Sequence, residues 1–297
     1  LVRSGDSAAW SEVLTTLGGS ACPACGGAAR PRIDLGDFRL YACATCECWS
    51  SDALVRGART SFQPNAYFAN ADADAARWDA LLRRIRIGGS ATTRVLDVGC
   101  GRGDFLAFVA RRIPASERSG IEIDAERARD ARNADPQAPI ATGAVEEALA
   151  DLRGSFDLVT LWDVLEHLAD PGSALRALAG RLAPGGSVFV QTIHEQSLVP
   201  RLGRGLYRAS RGRWCGPARR THEPHHLVFF SLDGLRRLAD QAGLSVQERW
   251  FDRLVRARMD GSGALRTVTA AALAIENALG NGLFVNLLLT RGRHTDA

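Results

Sequence analysis

Hydrophobic and polar positions change their period along the chain, and each change marks an element. Val95, Leu96 and Val98 form a compact apolar run that predicts a buried strand. Gly99, Gly101 and Gly103 interrupt it, and Phe105, Leu106, Phe108 and Val109 then recur at the spacing of one helical face. The alternation continues through "RSGIEID", "PIATG", "FDLVTLWDVLEHL", "DPGSALRALAGRL", "GGSVFVQTI", "SLDGLRRLADQAG", "LSVQERW", "GALRTVTAAALAIENALG" and "GLFVNLLLT". Repeated strand and helix units predict an α/β fold with a mainly parallel seven-stranded sheet, helices on both faces and a ligand at the carboxyl ends of its strands. Ahead of it, Trp78, Leu81, Leu82 and Ile85 share one stripe of an amphipathic helix that stops at Gly88-Gly89.

The N-terminal part has a different logic. Cys22-Pro23-Ala24-Cys25 and Cys43-Ala44-Thr45-Cys46 flank a stretch, "ARPRIDLGDFRLYAC", that reads as strand, turn, strand. Two CxxC pairs at this separation are the spacing of a zinc ribbon, in which Cys22, Cys25, Cys43 and Cys46 would give a tetrahedral, coordinatively closed Zn2+ site. Such a metal staples the module and does no chemistry. Cys48 is an alternative ligand to Cys46, or a buried bystander. The domain reading is a ribbon over 1–50, a linker over 51–70 around Gly57 and Pro64, and an α/β domain over 71–297.

Composition narrows the class. The 297 residues are 46% hydrophobic and 24% charged, which excludes a disordered, collagenous or disulfide-dense chain. Seven Cys, four of them in CxxC pairs, fit a metal site in a reducing compartment. No apolar run reaches the length of a membrane span, and the N-terminus lacks the apolar stretch of a secretory signal. The expectation is therefore a cytoplasmic protein, monomer or homodimer, and the missing initiator Met points to a trimmed or processed chain. All 37 cationic side chains are Arg, a sign of codon bias, and the net charge of +4 is too small to argue a nucleic-acid partner by itself. One segment differs. An insertion at about 195–225 carries Arg201, Arg204, Arg208, Arg211, Arg213, Arg219 and Arg220, with Tyr207 and Trp214 interleaved. Phosphates of a small acceptor, RNA, a membrane surface, or plain solvent are all open as its partner.

Glycines between a strand and a helix let backbone approach a ligand and aim helix N–H groups at an anionic part of it. Asp97 stands two residues before the first of them, and Glu122 ends the next strand, where a carboxylate can take both hydroxyls of a ribose. His167 follows the fourth strand of the sheet, and His222, Glu223, His225 and His226 crowd into "THEPHH". A metal there is disfavoured by Pro224 and by the lack of helical i, i+4 spacing. A general base is the other use of these imidazoles, with Glu166-His167 also serving as a structural link after the fourth strand.

"VLDVGCGRG", "GIEID", "FDLVTLWDVLEHLADP", "RLAPGGSVFV" and "HHLVFFSLDGLRRLADQAG" resemble the successive motifs of class I S-adenosylmethionine-dependent methyltransferases, in the small-molecule and glycan branch that often carries an N-terminal zinc ribbon. The resemblance implies a Rossmann-like fold and S-adenosylmethionine as cofactor. It places Asp97, Gly99 and Gly101 on the methionine part, Glu122 at the ribose, Val145 at the adenine, and Trp162 with Asp163 beside the sulfonium, with Ile123 among the cofactor-binding residues. His226 matches the family histidine ahead of the helix after the insertion; His225 and His167 are further candidates for the base. The chain departs from the family at Ala144, where an acidic residue usually holds the adenine amino group; Glu146 or the Val145 backbone stands in for it. The function implied is O-methylation of a sugar, glycan precursor or other small molecule, phosphate-bearing acceptors included. C-methylation of a nucleotide-linked sugar, RNA methylation and a non-catalytic cofactor-binding scaffold are the alternatives.

Overall fold

The computed structural model describes residues 21–58, 71–85, 92–252 and 263–292. Its first strands are β1 (Ala29–Asp34), β2 (Arg39–Cys43) and β3 (Trp49–Ser51), followed by a one-turn helix α1 (Ala53–Arg56). Helix α2 (Ala71–Arg84) leads into β4 (Arg94–Val98), α3 (Asp104–Arg112), β5 (Glu117–Glu122), α4 (Ala125–Ala134), β6 (Ile140–Thr142) and the short α5 (Val145–Ala148). Strand β7 (Phe156–Trp162), α6 (Pro171–Gly180) and β8 (Leu182–Ile193) complete the parallel part. Then come α7 (Leu198–Ala209), α8 (Gly216–Thr221), β9 (Val228–Phe229), α9 (Leu232–Gln241), β10 (Leu244–Asp252), α10 (Gly263–Ala278) and β11 (Phe284–Arg291).

The large sheet runs β10-β11-β8-β7-β4-β5-β6. Strands β8, β7, β4, β5 and β6 pair in parallel, and β11 and β10 are antiparallel additions at one edge. Alternation of period two sorts its side chains: Leu96, Val98, Val159 and Leu161 pack into a core on one face, and Val95, Leu158 and Phe189 into a second core on the other. The predicted α2 stripe closes that second core through Leu81 and Leu82. Helix starts follow the caps in the sequence: Asp124 accepts from the N–H groups of Glu126 and Arg127, and Asp170, ahead of Pro171, accepts from Ser173.

A second sheet has the order β1-β2-β3-β9. Its fourth strand comes from far along the chain, with Trp49 paired to Phe229 and Ser50 to Val228. Ile33, Leu35, Phe38, Leu40, Trp49 and Phe229 form its core. The cysteine end of this sheet is pressed against the start of α9. Ser231 caps that helix by accepting from Gly234, donates its hydroxyl to the Cys46 carbonyl, and gives its backbone N–H to Cys48 Sγ at 3.3 Å. A Cβ on Gly234 would be driven into Cys48 Sγ, so a larger residue here would push the two segments apart. Within the expected linker, residues 53–56 are helical and 59–70 lie outside the described residues. The Arg-rich insertion is folded as the pair α7 and α8, where Gly203 lies against the backbone of Pro217 and Ala218.

Candidate functional site

The turn after β4 has the backbone that its sequence demands. Gly99, Gly101 and Gly103 sit at φ +70°, +57° and +85°, where L side chains are strained, and a Cβ on Gly99 would meet Val164 Cγ2 at 2.5 Å. Glu122 is buried at the end of the neighbouring strand β5, its Oε2 accepting from Gly101 N at 2.8 Å and its Oε1 from Asp124 N at 2.9 Å. Each oxygen keeps a second lone pair, so the carboxylate is fixed in place and still able to accept hydroxyls. Asp97, on β4, is buried and accepts from Thr160 Oγ1 at 2.7 Å. Burial pushes its carboxyl up to about 7, against the Thr160 hydrogen bond and with the Glu122 charge adding to the rise.

The remaining cofactor candidates border the same carboxyl edge. Ile123, next to Glu122, is 67% exposed. Val145 opens α5 and is buried, while Ala144, its N-cap, supplies no side-chain cap, and Glu146 is exposed. Trp162 ends β7 between Phe105 and Phe189, with ring centroids at 5.7 and 4.3 Å, and its buried Nε1 has no hydrogen-bond partner among the described residues. Asp163 follows at φ +52°. These residues suit S-adenosylmethionine: a preset carboxylate for a ribose, a glycine turn open to backbone approach, and a buried acid for an ammonium.

The histidines separate into two groups. His167, His225 and His226 come together from segments nearly sixty residues apart, with ring centroids 5.2 Å (167 to 225), 4.7 Å (167 to 226) and 4.2 Å (225 to 226). His167 Nδ1–H donates to the His225 carbonyl at 2.9 Å, and Leu227 N donates to the Glu166 carbonyl at 2.8 Å. Glu166-His167 is thus a link, but to the strand β9 approach and not only to α6. Burial lowers all three imidazoles, His225 to about 4 and His226 well down, so they are neutral near pH 7. Glu166 beneath them is buried and, with the Asp163 charge beside it, is pushed up to about 8. His222 belongs elsewhere: its Nε2 lies 3.0 Å from Glu195 Oε1, which also pairs with Arg204, and its Nδ1 lies 2.8 Å from the Ala218 carbonyl.

His222 is thus set apart from His225 and His226, although the three lie within four residues of one another. The three imidazoles that do meet can bring one ligand atom each within 4.8 Å of one another. The His167 and His225 rings, however, are stacked at an interplanar angle of 17°, which sends their in-plane lone pairs side by side and not toward a common ion. Sequence reasoning missed Thr160 as the partner of Asp97, although it lies within the fourth-strand motif, and Glu195, outside the quoted motifs, as the partner of His222.

At the other end of β9 the four ribbon cysteines converge. Their Sγ atoms all lie within 4.8 Å of one another, with Cys22 to Cys46 and Cys25 to Cys43 at 3.6 Å. A tetrahedron with Zn–S bonds of about 2.3 Å has edges of about 3.8 Å, so this donor set fits the ion. Cys48 is not one of the four and faces Ser231.

A seven-stranded sheet with five parallel strands, a glycine turn after β4 and a carboxylate closing β5 defines the Rossmann-like class I methyltransferase fold. The family model for the methyltransferase domain matches residues 56–249, and the chain belongs to that family. Among curated proteins it is similar to the ubiquinone biosynthesis O-methyltransferase of Ralstonia nicotianae, 40% identical over 111 residues that cover 36% of this chain and 46% of the relative. The chain spans about half the length of the curated relatives it matches. Solved structures share the fold: a chain from the complex of the Haloferax volcanii Trm112 methyltransferase activator with a methyltransferase (TM-score 0.53, 17% identity, covering 79% of this chain and 99% of that one). A SAM-dependent methyltransferase from Archaeoglobus fulgidus is similar at TM-score 0.51 and 17% identity, over 74% of this chain and 94% of its own. Among the described residues no helix is long and apolar enough to cross a membrane.

Proposed function

We propose that this protein is an S-adenosylmethionine-dependent methyltransferase that methylates a hydroxyl oxygen of a small polar acceptor, a sugar or glycan precursor being the class that fits best. The observation that carries the reading is the meeting of His226, His225 and His167 at the carboxyl edge that also holds the glycine turn and Glu122. When bound, S-adenosylmethionine supplies an electrophilic methyl group on sulfonium sulfur. Asp97 and the Gly99–Gly101 backbone would hold its methionine part, Glu122 its ribose and Val145 its adenine, with Ile123 a further cofactor contact, and Trp162 with Asp163 would wall the sulfonium side. Ile123 has the exposure, and Glu122 the fixed geometry, that these roles ask for.

For the acceptor, His226 offers a buried Nδ1 that has no hydrogen-bond partner among the described residues. A neutral imidazole there accepts the hydroxyl proton as the oxygen attacks in line. Its low proton affinity favours passing that proton on, and His225 and the exposed His167 give a route to solvent. The 40%-identical Ralstonia relative is named for O-methylation, which supports the choice of oxygen. In the ribbon, Cys22, Cys25, Cys43 and Cys46 would hold a structural Zn2+.

Calorimetric titration with S-adenosylmethionine and S-adenosylhomocysteine, with metal analysis of the same sample, is the first test. Binding of both ligands and one zinc per chain that is lost in Cys22→Ser is the expected result. Radiolabelled methyl transfer to sugar nucleotides, hydroxylated aromatics and RNA then separates O-methylation from C-methylation and RNA methylation by the product. Absence of cofactor binding would leave a scaffold and overturn the enzyme reading.

A further inference from the structure

The helical pair α7 and α8 is held rigidly, yet it shows solvent the wrong face. Gly203 packs on Pro217 and Ala218, Tyr207 Oη bonds both the N–H and the carbonyl of Asp34 at 3.1 Å, and Arg219 pairs with Asp37 at 2.7 Å. Arg204 joins buried Glu195 and lies over the Trp49 ring, 4.9 Å from its centroid. With that inner face fixed, the outer face of α7 carries Leu202 and Leu206 at i and i+4, with half-buried Leu198 one turn before them. Leu202 is 46% and Leu206 38% exposed, and Trp214 in the turn that follows is 57% exposed. Ile275 on α10, which packs against α7, is 55% exposed, and Leu279, just past the end of that helix, is 74% exposed.

Cations flank this apolar stripe. Arg201, Arg208, Arg211, Arg213 and Arg220 are exposed, and no Asp or Glu occurs between Gln196 and His222. We infer that this face docks on a bilayer surface carrying anionic headgroups, the leucines and Trp214 entering the headgroup and acyl boundary while the arginines hold phosphate. An amphipathic helix with leucines on one side, arginines beside them and tryptophan at the margin is the form that lies in the membrane interface. An RNA partner would use the arginines and leave the outward leucines unexplained, since a phosphate backbone offers nothing apolar to cover them. The face begins five residues after β8, at the carboxyl edge of the sheet, so docking sets the membrane beside the acceptor side of the cleft. This inference stands whether or not the acceptor is a sugar.

Co-sedimentation of the full chain with phosphatidylcholine vesicles, with and without phosphatidylglycerol, tests it. The protein should pellet with the anionic vesicles and not with the neutral ones, and release as salt rises. Leu202→Ser with Leu206→Ser should weaken binding at least about tenfold, from the apolar area lost. Arg208→Gln or Arg213→Gln should weaken it about fivefold each. Equal thermal midpoints and cofactor affinities would show the variants folded. In the unmodified protein, brominated lipid should quench fluorescence that Trp214→Phe removes, a readout free of any folding effect. Failure to bind anionic vesicles overturns the proposal. Binding that ignores the leucines, or capture of a single-stranded RNA by a protein that ignores both vesicles, overturns it as well and assigns the face to electrostatics or to RNA.

Discussion

The proposed cofactor and acceptor halves of the cleft are built in different ways. The cofactor half is local: strand β4, three glycines and α3 follow one another within about twenty residues, and Glu122 arrives on the adjacent strand to bond Gly101 N. The acceptor half is assembled: His167 leaves β7, His225 and His226 precede β9, and β9 is the last strand of the cysteine-bearing sheet. A local site is specified by a short stretch of sequence and tolerates change elsewhere. The assembled one depends on every contact that positions β9, from the pairing of Trp49 with Phe229 to the cap at Ser231. Mutations should therefore separate cofactor affinity from turnover.

The largest separation is expected at His226. With His226→Ala, kcat should fall by about 10²- to 10⁴-fold, the range for loss of a general base, while calorimetric affinity for S-adenosylmethionine stays unchanged. His226→Gln, which keeps a hydrogen bond and cannot take a proton at neutral pH, should do no better. If either variant lost cofactor affinity in proportion to kcat, the two halves would be one unit.

This contrast also explains what the sequence made legible. The glycine turn, Asp97, Glu122 and both CxxC pairs fall in short patterns that can be read from the sequence, even though Asp97 meets Thr160 and Cys22 meets Cys46 only in the fold. Strand β9 is two residues long and has no periodicity to detect, so its place in the ribbon sheet was not readable. The link from His167 Nδ1 to the His225 carbonyl crosses fifty-eight residues and uses a backbone atom, which no side-chain pattern announces. In the insertion the sequence drew attention to the arginines and to no element; Gly203 against the backbone of Pro217 shows the segment folded as a tight helix pair. His222 looked like a neighbour of His225 and His226 because they lie within four residues, whereas its ring points to Glu195.

An intermediate effect should appear in the pH dependence of the local half. Asp97 has a carboxyl raised to about 7 by burial, above its unfolded value of about 3.9. In the free protein this group adds stability below the unfolded value and loses it as pH rises through about 7. Pairing with the cofactor ammonium needs the ionised form, so cofactor affinity should fall by up to about tenfold per pH unit below 7. Asp97→Asn should flatten that dependence and, relative to the unmodified protein, raise the thermal midpoint more at pH 8 than at pH 5. An unmodified protein whose cofactor affinity is flat from pH 5 to 8 would remove Asp97 from the ammonium site.

The smallest effect is the one that tests how the assembled half is held. Gly234→Ala places a methyl group against Cys48 Sγ and within 3.5 Å of Cys46 Sγ, in the first turn of α9. Overpacking of this kind costs about 1–3 kcal/mol, and the gain in helix propensity from alanine, about 1 kcal/mol, offsets part of it. The net loss should be a shift of a few degrees in thermal midpoint for a domain of this size. Its direction of travel matters more than its size. Strain at Gly234 pushes on the cysteine end of the sheet that carries β9, so kcat should drop while cofactor affinity holds. Cys48→Ala, which makes room for the methyl group, should restore both stability and kcat in the double variant; restoration of stability alone would show that the histidines do not feel the ribbon through β9.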